Sequence, residues 1–185
     1  MSGPARAPRG LLVGRFQPFH LGHLGVVRAI RAHWPEEEVV LAIGSSEASY
    51  TMENPFTAAE RFEMIHRALS EAQVDGWIAV PVPDIRRHAV WVAHTEEIVP
   101  PFRRVHTNNP LTRLLFERAG YAVEAPELID RARFEGEKIR AALASGAPWK
   151  DRVPPAVARF LEEIDAPGRL RLLHGSRPAS QEGSA

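Results

Sequence analysis

The chain has 185 residues, 44% of them hydrophobic and 25% charged, and its 23 basic and 23 acidic side chains give no net charge. This length suits one domain with a core sheet covered by helices. Zero net charge gives no bulk attraction to nucleic acid, and neither a membrane-span-length apolar run nor a signal-peptide core is present. Without cysteine, disulfides and thiolate metal sites are excluded. We expect a cytoplasmic protein with no membrane or nucleic-acid partner.

Strand-like and helix-like patterns alternate along the chain. After a predicted disordered leader at residues 1–9, an apolar run ends at Gly14 and a helical pattern runs through Leu24, Val27 and Ile30 to Trp34. Further strands are predicted at residues 39–44, 77–82, 103–107 and 121–124, and further helices at residues 57–69, 89–99, 109–119 and 154–164. In the region 133–144 a helix is predicted to start at Gly136. The alternation predicts an α/β fold, a Rossmann-like parallel sheet with helices on both faces. We expect one domain at residues 10–174 and a disordered tail at 175–185.

Two helix starts carry capping signals. Thr57 and Glu60 have the spacing of a capping box, and the helix that follows has Phe62, Ile65 and Leu69 at apolar spacing. Asn109, followed by a proline, has the features of an N-cap.

The first strand, turn and helix together predict an anion site. Arg15 follows the strand, and His20 and His23 stand where the helix begins. A helix N-terminus offers backbone N–H groups and a positive dipole end to an anion. Three potential cations around such a point indicate a triphosphate ligand. An isolated histidine pair would instead be read as satisfied polar residues, and the spacing also allows a metal pair, although no third ligand is nearby.

Residues 14–23, Gly-Arg-Phe-Gln-Pro-Phe-His-Leu-Gly-His, resemble the signature of the nucleotidyltransferase superfamily, whose core is His-x-Gly-His. The longer form is similar to that of the archaeal-type nicotinamide-nucleotide adenylyltransferases. The resemblance implies a nucleotidyltransferase fold in which His20 and His23 are catalytic. It also implies an ATP site whose residues in this motif are Gly14, Arg15, Phe16, Gln17, His20, Gly22 and His23.

Residues 134–140 stand where that family has a second phosphate motif, Ser-Gly-Thr followed by an apolar residue and Arg. Gly136, Ile139 and Arg140 match it, which implies that Gly136 and Arg140 bind ATP and that Arg140 is catalytic. Glu135 and Glu137 depart from the motif because they replace its hydroxyl residues. Two carboxylates beside a triphosphate repel it unless they point away or hold a metal ion.

The resemblance also implies a pocket for the nicotinamide nucleotide, formed by Asp84, Ile85, His88 and Trp91. An indole can stack on a pyridinium ring and gain cation–π attraction. Without the family, Trp91 would be interpreted as ordinary core packing. His88 stands where relatives usually carry asparagine, and its charge varies near neutral pH.

Asn108 and Asn109 resemble a Gly-Asn-Pro turn beside the adenine, which implies that Asn109 contacts ATP. Asn108 takes the glycine position, and asparagine tolerates a positive φ there better than most residues.

We therefore expect adenylyl transfer from ATP to nicotinamide mononucleotide (NMN), with Mg²⁺ bound mainly through the phosphates and no dedicated metal ligands. The resemblance implies a homo-oligomer, commonly a hexamer. Two alternatives stay open: transfer of an adenylyl or cytidylyl group to another phosphate, such as phosphopantetheine or a flavin nucleotide, and a nucleotide-binding regulator without catalysis.

Overall fold

The computed structural model describes residues 8–126 and 133–175, where five strands form one sheet in the order β3-β2-β1-β4-β5. The strands are β1 (Arg9–Gly14), β2 (Glu38–Ile43), β3 (Trp77–Pro81), β4 (Arg104–His106) and β5 (Ala122–Glu124). The helices are α1 (Leu21–His33), α2 (Ala58–Glu71), α3 (Trp91–Ile98), α4 (Pro110–Arg118), α5 (Gly136–Ser145), α6 (Pro155–Glu163) and α7 (Ala166–Gly175). Short 3-10 turns occupy His88–Val90 and Lys150–Arg152.

All strand pairs are parallel, as predicted, and alternate residues face opposite layers of helices. Leu12 and Leu41 pack toward α1, α2, α5, α6 and α7, whereas Leu11 and Val40 pack toward α3 and α4. Near-continuous apolar strands are what a sheet buried on both faces requires.

The order of the strands places a crevice at one edge of the sheet. The chain moves outward from β1 to β2 and β3, then returns to β4 on the other side of β1. At such a switch point the loops after neighbouring strands separate, and ligands bind outside the carboxyl ends of the strands. The loops after β1, β2 and β4 therefore frame the candidate site.

Several sequence-based boundaries need correction. β1 begins at Arg9, inside the predicted leader, because Arg9 pairs with Glu38 in the sheet and also binds its carboxylate at 2.6 Å. Residues 1–7 of that leader lie outside the described residues, as does the predicted tail apart from Gly175, which ends α7. The start of helix α5 at Gly136 is, by contrast, confirmed. No helix was predicted over α7, since Pro167 and Gly168 in its first turn hide the pattern.

The capping box that precedes α2 is confirmed, but one predicted core residue is not in the core. Thr57 Oγ1 accepts from the Glu60 N–H, and Glu60 Oε2 accepts from the Thr57 N–H. Ile65 and Leu69 are fully buried, whereas Phe62 is 39% exposed. The buried face of α2 is rotated toward Arg61 and Met64, so Phe62 lies at its edge.

The difference in stability between a buried position and a partly exposed position of α2 can be measured. We expect Ile65→Ala to lower the free energy of unfolding by about 2–5 kcal/mol, because it leaves a cavity in the core. The matched change Phe62→Ala on the same helix is expected to cost less than about 1 kcal/mol, as for surface positions. Urea unfolding followed by circular dichroism checks this, and equal losses would contradict the assigned face of α2.

Candidate functional site

The loop after β1 is folded around a buried aromatic ring. Phe16 has a φ of 51° and is only 2% exposed, so its ring turns back under the loop. A Cβ on Gly14 would lie 2.8 Å from that ring, which explains the glycine. The Phe16 ring then meets the His23 ring edge-on, with centroids 4.9 Å apart. The Phe16 side chain therefore supports the site, while the neighbouring Arg15 is exposed.

The two predicted histidines form a reciprocal cap on α1. His20 Nδ1 accepts from the His23 N–H, and His23 Nδ1 accepts from the His20 N–H, each at 3.2 Å. Their rings stack with centroids 3.5 Å apart. A ring nitrogen that accepts a hydrogen bond carries no proton, so each neutral ring has its proton on Nε2.

The histidines are neutral donors and not the cations expected from the sequence. Burial lowers the pKa of His20 to about 4. Burial, and then the neighbouring charge of His20, lowers the pKa of His23 well below its ordinary value. Two stacked imidazolium rings would repel each other in a site of low dielectric constant. Of the three potential cations, only Arg15 is positively charged. The two histidines instead present neutral Nε2–H donors.

Gly22 fits a narrow gap in the same helix start. A Cβ there would lie 3.1 Å from His20 Nδ1 and 3.1 Å from the Cβ of Phe134. Contacts of that length require a neighbour to move, so Gly22 lets the His20 ring and the segment before α5 approach each other closely.

Gln17 ties the first loop to the segment before α2. Its Nε2 donates to the Phe56 carbonyl and its Oε1 accepts from the Phe56 N–H, both at 3.0 Å. Both ends of the amide are thus used within the protein, and Gln17 is 4% exposed. Its side chain therefore shapes the loop.

The side chain of Arg140 is hydrogen-bonded to the same loop. It is 8% exposed, and its guanidinium donates to the Gln17 carbonyl at 2.8 Å and to the Met52 carbonyl at 2.9 Å. Burial lowers its pKa, as does Arg15, while Glu137 and Glu53 act in the opposite direction. Arg140 therefore lies within electrostatic reach of Arg15, as a shared phosphate site requires, with two of its donors already engaged.

The two glutamates of the second motif have different surroundings. Glu135 lies 3.2 Å from the Lys138 ammonium in an ion pair. Glu137 lines a large cavity together with Arg15 and Arg140. Of these two glutamates, only Glu137 therefore lies in the same cavity as the predicted phosphate-binding residues Arg15 and Arg140. Gly136 at the helix start packs tightly, since a Cβ there would lie 3.2 Å from the Gln17 carbonyl oxygen.

Two cavities meet at Arg15. The smaller has a volume of about 360 Å³ and contains six residues predicted for the site, namely Gly14, Arg15, Asp84, His88, Trp91 and Asn109. The larger has a volume of about 800 Å³ and contains Arg15 and Arg140. Ile85, predicted for the nucleotide pocket, lies in the lining of neither. Arg15 is the residue common to both cavities.

Trp91 packs in the core and also borders a cavity. Its ring meets Phe116 edge-on at 5.6 Å within the α3–α4 core, and it also lines the smaller cavity. Asp84 is engaged in the turn before it, where its N–H donates to Glu47 and its carboxylate accepts from the Arg86 N–H. His88 is exposed at the start of the 3-10 turn.

Asn109 is the N-cap of α4, as predicted. Its Oδ1 accepts from the Thr112 N–H at 3.0 Å while the residue borders the smaller cavity. Asn108 does not have the positive φ considered from the sequence, and its side-chain amide donates to the Pro126 carbonyl.

Arg61 is the organising residue that sequence reasoning missed. It is fully buried, and its guanidinium donates to four carbonyl groups, those of Thr57, Arg15, Gly44 and Ser45. Burial lowers its pKa to about 10, which leaves it charged at neutral pH. The only available signal was an arginine one position after Glu60 of the capping box, on the buried side of an amphipathic helix.

The described ranges contain neither a metal-ligand cluster nor a helix of membrane-spanning length. No three His, Cys, Asp or Glu side chains come together there as a metal site. No helix of residues 8–126 and 133–175 is both long and apolar enough to cross a membrane.

Comparison with known proteins identifies relatives for most of the chain. Residues 11–142 match the family model described as cytidylyltransferase-like. A protein named nicotinamide-nucleotide adenylyltransferase from Picrophilus torridus is 44% identical over 168 residues, 91% of this chain and 98% of that one. One of the same name from Methanosphaerula palustris is 43% identical over 168 residues, again 91% and 98% of the two chains.

Solved structures support the fold. A bifunctional NMN adenylyltransferase/ADP ribose pyrophosphatase from Francisella tularensis, complexed with AMP and a manganese ion, matches with a TM-score of 0.72 at 19% identity. The match covers 91% of this chain and 52% of that one, so this chain spans about half the length of that protein. At this identity the likeness concerns the fold alone.

The buried histidine cap predicts a pH dependence of stability. Since the folded pKa of His20 is about 4 and its ordinary value is 6.5, the unfolded chain binds more protons between those values. This contribution to stability is therefore complete above pH 6.5 and is lost as the pH falls toward 4. We expect His20→Asn, which keeps a capping side chain, to reduce the slope of unfolding free energy between pH 5 and 6 by at most about 1.4 kcal/mol per pH unit.

Urea unfolding of both proteins at pH 5, 6 and 7 measures that slope. His23, and His106 with a pKa lowered by burial to about 4, titrate in the same direction, so some dependence remains in the variant. Identical slopes for the two proteins would show that His20 takes up its proton as readily when folded as when unfolded.

Proposed function

The chain belongs to the cytidylyltransferase-like family, in the branch of the archaeal-type nicotinamide-nucleotide adenylyltransferases, and we propose that it transfers the adenylyl group of ATP to nicotinamide mononucleotide. The products are NAD and pyrophosphate. The relatives carry this activity in their names and match nearly their whole length.

The position of Arg15 between two cavities is the observation that carries the proposal. The smaller cavity, with Trp91 and His88, suits a flat acceptor ring. The larger, with Arg140, suits phosphates. A reaction that joins two phosphates needs their ligands to meet, and Arg15 is a cation common to both cavities. It binds the acceptor phosphate and the α-phosphate where the new bond forms.

The reaction proceeds by direct in-line attack without a covalent intermediate. An oxygen of the acceptor phosphate attacks the α-phosphorus of ATP, and the bond from that phosphorus to the α,β-bridging oxygen breaks. The electron pair leaves with pyrophosphate. Because a phosphate dianion is already a nucleophile, the protein needs no general base and acts by positioning and charge stabilisation.

The site residues suit that task. His20 and His23 present Nε2–H groups without a permanent charge, so they donate to phosphate oxygens, and to the leaving oxygen as its charge develops. Arg140 is held by the Gln17 and Met52 carbonyls, and its remaining donors complete the phosphate site. Donors fixed before the substrate arrives do not need to reorganise in the transition state.

A magnesium ion fits the carboxylates of the larger cavity. Mg²⁺ retains several waters and is commonly bound by one or two carboxylates together with substrate phosphates. Glu53 and Glu137 line that cavity and are the residues that would hold it. When bound, the ion would neutralise negative charge on the triphosphate. This arrangement also gives Glu137 a role beside an anionic substrate.

The catalytic assignment is tested by His23→Ala in a pyrophosphate-release assay with ATP and Mg²⁺, offering NMN. We expect NAD formation to fall on the order of a hundredfold or more, because an oriented donor to the reacting phosphates is lost. The matched control is His33→Ala, an exposed histidine at the other end of α1, which should retain full activity.

The same assay with the acid analogue of NMN or with phosphopantetheine separates the alternative acceptors. Turnover with only one of those would keep adenylyl transfer and overturn the acceptor assignment. ATP binding without turnover on any acceptor would favour a nucleotide-binding regulator.

The acceptor pocket is tested through Trp91 and His88. We expect Trp91→Ala to raise the KM for NMN about tenfold or more with little change in the KM for ATP, since stacking is worth about 1–2 kcal/mol. Trp91→Phe, which keeps an aromatic ring on Phe116, should recover part of the loss. His88→Asn should change the preference between NMN and its acid analogue, because it replaces an imidazole of the cavity lining by an amide. Equal effects of Trp91→Ala on both substrates would indicate a packing defect.

A further inference from the structure

The larger cavity extends beyond the residues assigned above. Its wall is completed by the 3-10 turn after α5, which contributes Arg152, and by α7, which contributes His174. Neither residue belongs to the two phosphate motifs, and α7 was not predicted from the sequence. Three guanidinium groups, those of Arg15, Arg140 and Arg152, thus border one cavity of about 800 Å³ together with two carboxylates.

Arg152 differs from Arg140 in its contacts. Its side chain is half-buried, yet within the described residues it has no hydrogen bond and no ion pair. The carboxylates nearest in the chain are already used, because Asp151 binds Arg133 at 2.9 Å and Glu162 binds Lys150. Arg152 ends the 3-10 turn and lines the cavity, so its guanidinium donors are available to a ligand there.

The two carboxylates of the cavity interact with a different arginine. Glu137 and Glu53 both act to raise the pKa of Arg140 against its burial. They therefore offset the charge of Arg140, which also binds two carbonyl groups. Glu137 brings a negative charge to the wall where the terminal phosphates of ATP would lie. Arg152 adds a further positive charge to the lining of this cavity.

We propose that Arg152 binds the terminal phosphates of the triphosphate and the pyrophosphate that leaves after transfer. A guanidinium is suited to this because its parallel N–H groups match two oxygens of one phosphate. The inference rests on the proposed function for the triphosphate, but the ligand chemistry it requires is only that of a polyphosphate. The binding site can therefore be tested without turnover.

The test is calorimetric titration of the full chain with inorganic pyrophosphate in the presence of Mg²⁺. Arg152→Ala should weaken pyrophosphate binding roughly tenfold or more, as expected for loss of a charge-assisted hydrogen bond. Arg152→Lys should recover part of the affinity, since it restores the charge without the paired donors. The matched control is Arg28→Ala, an exposed arginine of α1 outside both cavities, which should bind pyrophosphate like the unmodified protein.

Steady-state kinetics supply a second readout that a packing defect would not give. Arg152→Ala should raise the KM for ATP and weaken product inhibition by pyrophosphate, while the KM for NMN stays unchanged. Thermal unfolding of each variant verifies that it is folded. Pyrophosphate binding by folded Arg152→Ala equal to that of the unmodified protein would overturn the inference, even if NAD is formed.

Failure of the proposed function has a different signature. If the unmodified protein makes no NAD but binds pyrophosphate, and Arg152→Ala loses that affinity, the polyphosphate site stands and the assigned acceptor is wrong. If the unmodified protein makes NAD but Arg152→Ala and Arg28→Ala behave alike in both assays, the reaction stands and Arg152 has no part in it.

Discussion

The buried guanidinium of Arg61 connects the loops on which the candidate site depends. It donates to carbonyl groups of residues that follow β1, follow β2 and precede α2, namely Arg15, Gly44, Ser45 and Thr57. A buried charge is tolerated only when hydrogen bonds replace its hydration, and four carbonyl oxygens do this here. The same bonds satisfy carbonyl groups of the loops beyond the carboxyl ends of the strands, where the ladder of the sheet has ended. Arg15 is thereby held by its own backbone while its side chain remains exposed.

Two further contacts extend this connection to the other elements. Gln17 binds both backbone groups of Phe56, and Arg140 binds the carbonyls of Gln17 and Met52. The loop after β1, the segment before α2 and the start of α5 thus form one hydrogen-bonded unit. Many hydrogen-bonding groups of the motif residues are engaged within this unit. The donors that remain available to a ligand are the guanidinium of Arg15, the Nε2–H groups of the histidines and the remaining N–H groups of Arg140.

The histidine cap shows that burial changes the charge state expected from the residue types of a motif. From residue types alone, Arg15, His20 and His23 suggest three positive charges around a phosphate. In the structure, each imidazole accepts a backbone N–H, the rings stack, and burial keeps them neutral. Neutral donors stabilise charge that develops during a reaction without binding the ground state as strongly as fixed cations would.

The sequence by itself determined what depends on neighbours along the chain. The parallel α/β architecture, the Thr57–Glu60 capping box, the Asn109 cap and the start of α5 at Gly136 follow from local spacing, and each is present. Only the tertiary structure decided the rest, because it depends on contacts between distant segments. Those contacts place Phe62 at the edge of the core, direct Glu137 and not Glu135 into the cavity, and make Arg61 the link between loops. They also bring Arg15 and Arg152, which lie far apart in the chain, into the lining of one cavity.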